Sequence, residues 1–77
     1  MVKISVEYQG GLRCRLVHGP SGSVILTDAP KDNMGKGEAF SPTDLVASGL
    51  GACMMTVMGI VAQRHNIKLK GTTLEIE

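Results

Sequence analysis

Apolar and polar residues alternate from the start of the chain. Val2, Ile4, Val6 and Tyr8 fall on one face of an extended segment and Lys3, Ser5, Glu7 and Gln9 on the other, the period-two pattern of a half-buried strand over about residues 2–9. Gly10-Gly11 follows, a pair suited to the positive φ angles of a two-residue hairpin turn. The alternation resumes with Leu12, Cys14, Leu16 and His18 against Arg13, Arg15 and Val17, which predicts an antiparallel second strand over about 12–18. His18-Gly19-Pro20-Ser21-Gly22 supplies turn residues. Ser23 to Thr27 then reads as a third, more fully buried strand centred on Val24, Ile25 and Leu26, completing a three-stranded meander.

Residues 28–40 have no periodicity, and so long a structureless connection in a small domain reads as a flexible lid or crossover. Its Gly35-Lys36-Gly37 lacks the further glycine and the Lys-Ser/Thr pair of a phosphate loop. Ser41-Pro42-Thr43-Asp44 is a helix start: Ser41 caps the amide at the third helical position, Pro42 has the φ suited to the first, and Asp44 meets the positive end of the dipole. No further charge appears until Arg64, and Asn66 can adopt the left-handed conformation that stops a helix. A helix over about 42–65 would be roughly 36 Å long.

From Leu45 to Ala62 this helix is apolar or small on every side. That run just reaches membrane-spanning length. Three glycines, Ser48 and Thr56, the lack of aromatic anchors and the amphipathic strands on either side favour a helix buried within protein. Ala47, Gly51 and Gly59 lie on one row where another backbone could approach closely. Beyond the helix, about 67–76 reads as a further strand interrupted at Gly71, and it ends in mid-alternation as though cut. The expected class is α+β in a single domain over 1–77. One such sheet face cannot cover a helix apolar all round, so dimerisation or a missing second half must complete the fold.

Size and composition narrow the function. The 77 residues are 43 % apolar and carry eight Lys plus Arg against seven Asp plus Glu. A chain this short buries about 60 % of the surface its unfolded form exposes, so one small domain is the ceiling. The near-neutral charge, with no basic run and only Tyr8 and Phe40 as aromatics, argues against a nucleic-acid partner. Two cysteines are too few for a disulfide scaffold, and the N-terminus lacks the apolar block of a signal peptide. A reducing, cytoplasmic setting is expected, with no membrane and no cofactor.

Few residues invite chemistry. Cys53 in mid-helix reads either as a small buried hydrophobe or as a nucleophile, and the latter needs a nearby cation to favour its thiolate. Arg13 and Arg15 are the only arginines ahead of it. Cys14 reads as a core-facing strand residue, His18 as a solvated histidine and His65 as a partner of the helix dipole. Glu38 and Asp44 have ordinary readings as a loop charge and a helix-start residue. No Ser-His-Asp arrangement, carboxylate pair or metal-ligand set follows from the spacings.

The stretch from Gly37 to Met58, with its Pro-led helix and a cysteine eleven residues after the proline (Pro42 and Cys53), resembles the helix signature of the OsmC/Ohr family of osmotically inducible and organic-hydroperoxide-resistance proteins. The meander fits as well, so the resemblance covers the chain but only about the first half of a typical member. It implies a cysteine peroxidase of oxidative stress defence, homodimeric, in which Cys53 matches the peroxidatic position. The resolving cysteine lies later in such chains, and Cys14 does not match it; the thiol reductant is unknown. The family's thiolate-holding arginine corresponds best to Arg13, with Arg15 behind it, and Glu38, Thr43 and Asp44 are possible supports. Hydroperoxidases of the family usually carry a glutamate directly after the proline, where this chain has Thr43. Asp44 is one place on, about 100° around the helix. The chain thus resembles a divergent OsmC-like branch: a thiol-dependent peroxidase for organic or hydrogen peroxides or, alternatively, a non-catalytic protein that binds a small hydrophobic ligand.

Overall fold

The alternation of the first eighteen residues becomes a hairpin, in which β1 (Ile4–Gly10) pairs antiparallel with β2 (Arg13–His18). Ile4 lies opposite His18, Val6 opposite Leu16 and Tyr8 opposite Cys14. A register shift between Tyr8 and Gly10 sets Gly10 against Arg13, so the turn is Gly11-Leu12, one residue later than expected. Both turn residues have positive φ, 61° and 63°, as a primed hairpin turn requires. The Tyr8 hydroxyl accepts the Leu12 N–H at 3.2 Å and steadies this otherwise unfavourable leucine. β3 (Val24–Leu26) pairs antiparallel with β2, giving the sheet order β1-β2-β3. The three predicted strands of the meander are present with slightly shifted limits.

The structure is a computed structural model describing Met1–Glu77, and it divides into two units, Met1–Asp44 and Leu45–Glu77. The sheet of the first unit is not buried as the alternation suggested: Val6 is 65 % exposed and Ile25 46 %. Three short strands have no second layer of their own, and a sheet face is buried only against one. The connection 28–40 is not structureless. It contains a 3-10 turn, Lys31–Asn33, and its ends are joined by the Asp28 N–H donating to the Phe40 carbonyl at 3.0 Å.

Helix α1 runs from Pro42 to Arg64, within a residue of the prediction. Its start is a reciprocal cap. The Asp44 N–H donates to Ser41 Oγ at 3.1 Å, and the Ser41 N–H donates back to Asp44 Oδ2 at 3.0 Å, satisfying two amides that the first turn leaves free. Its end is stopped at Asn66, with φ 56°. The Ile67 N–H reaches the Ala62 carbonyl at 2.9 Å and the Asn66 N–H the Gln63 carbonyl at 3.4 Å, the bond pair of a Schellman stop.

Two expectations for the second unit are corrected. The helix is not buried: Val46 is 75 % exposed, and only Gly51 and Ala62 are buried. It is long and apolar enough to cross a membrane by length and composition, with a mean hydropathy of 2.0. The segment 67–76 forms no strand. A strand exists only through a ladder partner, and none pairs with this segment; Gly71, at φ 94°, instead turns the backbone, and the Thr72 N–H donates to the Leu69 carbonyl at 2.9 Å. Beyond that turn, Leu74 and Ile76 lie on the helix at Gly51. A Cβ at Gly51 would stand 2.7 Å from Ile76 Cδ1 and 3.0 Å from Leu74 Cδ2. The small-residue row thus admits side chains at Gly51, while Gly59 faces open space.

Removing the cap tests this account of the helix start. Ser41→Ala should lower stability by about 1 kcal/mol, visible as a fall of roughly 4–8 °C in the thermal midpoint for a domain of this size.

Candidate functional site

A polar cluster in the first unit gathers around Asp28, the residue two beyond the end of β3. The Thr27 N–H donates to the Cys14 carbonyl at 2.9 Å, and the Cys14 N–H donates to Thr27 Oγ1 at 3.2 Å. These bonds continue the pairing of β2 with the chain after β3 and bring Asp28 beside Arg13. Asp28 is 1 % exposed. Its Oδ2 accepts Arg13 Nη2 at 3.1 Å and the Glu38 N–H at 3.1 Å, and its Oδ1 accepts the Ala29 N–H at 2.9 Å. Glu38 Oε1 accepts the same Arg13 Nη2 at 3.1 Å from the exposed side. One arginine nitrogen therefore joins two carboxylates, one buried and one open to solvent.

The electrostatics follow from these bonds. The Glu38 amide bond holds the Asp28 carboxyl below its usual range; burial opposes this, while Arg13 and the Ala29 amide reinforce it. The hydrogen bonds to Asp28 and then Glu38 raise the Arg13 guanidinium above its ordinary value, so it stays charged at any working pH.

Of the residues picked from the sequence, Arg13 and Glu38 come together. Arg15 does not join them: it is exposed, opposite Glu7 in the ladder, with no carboxylate within ion-pair distance. Asp44 serves the helix cap, and Thr43 Oγ1 lies 3.1 Å from Ser41 Oγ. Cys53 lies on α1 in the second unit as a free and exposed thiol, not the buried side chain of the alternative reading. Cys14 is free and half-buried. It lines an open cavity of about 370 Å³ with Tyr8, Leu12, Thr27, Pro30 and Pro42. No three His, Cys, Asp or Glu side chains gather as a metal-ligand set.

Asp28 was not picked out by the sequence reading. The available signal was its place just after an apolar strand, where a carboxylate can hydrogen-bond the following amides, next to the strand that carries an arginine at a hairpin. Because its folded-state pKa is depressed, its contribution to stability is present above the unfolded value of about 3.9 and is lost as pH falls through the folded value. Asp28→Asn should lower the thermal midpoint at neutral pH and flatten its decline below about pH 4. Melting curves from pH 2 to 7 on both proteins measure this; parallel acid declines would remove Asp28 from that role.

Comparison with known proteins agrees with the helix and its approach. The family described as OsmC-like protein matches residues 35–77. A solved structure from Psychrobacter arcticus 273-4, of a proposed osmotic stress induced and detoxification response protein, is 52 % identical with a TM-score of 0.95. The alignment covers 100 % of this chain and 56 % of that one, so the present chain spans little more than half the length of that relative. Curated proteins give no match. On the family match and on this identity over its whole length, the chain belongs to the OsmC-like family.

Proposed function

We propose that this chain is the N-terminal part of a thiol-dependent peroxidase of osmotic or oxidative stress defence, with Cys53 as the nucleophile. The observation that carries the reading is an exposed free thiol at Cys53 on the helix of an OsmC-like protein, eleven residues after Pro42. The Cys53 thiolate attacks the terminal oxygen of an organic or hydrogen peroxide. A sulfur–oxygen bond forms and the O–O bond breaks; the departing alkoxide or hydroxide takes a proton to leave as alcohol or water. Cysteine is oxidised to sulfenic acid, and the peroxide is reduced. A thiol then condenses with the sulfenic acid, releasing water, and a second thiol restores Cys53 by exchange. Arg13, held by Asp28 and Glu38, is the cation proposed to favour the thiolate, in the reducing compartment that free thiols suit.

The second reading, a binding protein without catalysis, draws on the cavity lined by Tyr8, Leu12 and Cys14, which is of a size for a small apolar molecule. The proposed partner is a second copy of the chain. Exposed Val46, Leu50, Met54, Val57 and Ile60 leave more apolar surface than soluble monomers usually carry. Sedimentation at micromolar concentration should give the mass of a dimer; a folded monomer would refute the pairing.

Stoichiometric cumene hydroperoxide followed by a sulfenic-acid trap and mass spectrometry separates the two functions. The enzyme reading expects the trapped adduct on Cys53, its absence in Cys53→Ser, and formation slowed about tenfold or more in Arg13→Ala. An unmodified Cys53 in the full-length protein would leave the binding reading.

A further inference from the structure

We infer that the hairpin Gly10-Gly11, Arg13 and Lys36 form a binding site for the carboxylate of a small ligand, in which Glu38 is the resident and displaceable occupant. These residues line a concavity of about 180 Å³ in the first unit. Lys36 has no carboxylate within ion-pair distance, and Arg13 spends only Nη2 on the protein, leaving Nη1 and Nε without a partner. The two glycines are uncrowded: Cβ atoms built at Gly10 and Gly11 would meet nothing within 4 Å.

The two carboxylates on Arg13 differ in the way a binding site needs. Asp28 is buried and holds three donors, so it fixes the guanidinium. Glu38 has a side chain 58 % exposed and places one hydrogen bond on Arg13, at 3.1 Å. An exposed pair of this kind is worth up to about 1 kcal/mol. Nη2 belongs to both two-donor edges of a guanidinium, one shared with Nε and the other with Nη1. When Glu38 leaves, an incoming carboxylate completes one of these edges and accepts two parallel bonds where Glu38 accepted one. Lys36, which lines the same concavity, adds a second cation. The exchange keeps the charge around Arg13 balanced, because one carboxylate replaces another.

Glu38 can leave without unmaking the loop. Its backbone N–H stays on Asp28, and the loop ends stay joined through Asp28 and Phe40. The site does not depend on Cys53 reacting with peroxides, and its test reads binding alone.

The test is an amide NMR titration of the full chain with sodium acetate, compared with sodium chloride at equal ionic strength. Saturable shifts at the amides of Gly10, Gly11 and Glu38 are expected with acetate beyond those with chloride. Glu38→Ala removes the resident competitor and should strengthen acetate binding by up to about fivefold. Lys36→Gln should weaken it about two- to fivefold. Equal shifts with acetate and chloride, or binding that Glu38→Ala weakens or leaves unchanged, would overturn the site.

Discussion

The buried carboxylate of Asp28 is the interaction on which the first unit turns. It ties three things that no apolar contact holds: the guanidinium at the start of β2, the amide of its own neighbour Ala29, and the amide of Glu38 ten residues away. A charge 1 % exposed survives only when it is paired and its oxygens are saturated with donors, and Asp28 has both. With the loop ends joined beside it, the segment between β3 and α1 becomes a closed loop rather than a loose connection. The position of Glu38 follows from this closure, and with it the double engagement of Arg13.

The second unit rests on different physics. α1 is held at its ends, by the reciprocal Ser41 and Asp44 cap and by the Asn66 stop, and Leu74 and Ile76 settle on it at Gly51. Capping interactions are worth about 1 kcal/mol each, whereas most helix stability in proteins comes from burying a face. A helix exposed at Val46, Leu50 and Val57 therefore draws little of its stability from burial.

Much of this was legible in the sequence, for local reasons. Alternation gave β1 and β2, Ser41-Pro42 gave the start of α1, and Asn66 gave its stop; each is decided by neighbours within a turn or a strand pair. The features that were not legible depend on partners. The alternating face of Ile4, Val6 and Tyr8 signalled a strand, but burial requires a second layer that the pattern cannot supply. Residues 67–76 alternate like a strand and lack a ladder. Asp28 is a lone acidic residue at a loop entrance until the meander brings it beside Arg13, a contact fifteen residues apart in sequence.

The same cluster bears on the departure at Thr43. The sequence resemblance leads one to expect an arginine steadied by a carboxylate directly after the helix proline, and Thr43 cannot supply one. Asp44 makes no ion pair with an arginine; its backbone amide and its Oδ2 bond Ser41 in the helix cap. Here the arginine is steadied from the other side, by residues that the closed loop delivers: Asp28 at its entrance and Glu38 near its exit. An arginine fixed by a buried carboxylate loses less freedom on meeting an anion than one held only by solvent-exposed groups. A threonine at position 43 therefore leaves Arg13 fixed in place. Arg13 is supported instead from the loop, by one buried carboxylate and one that is exposed to solvent.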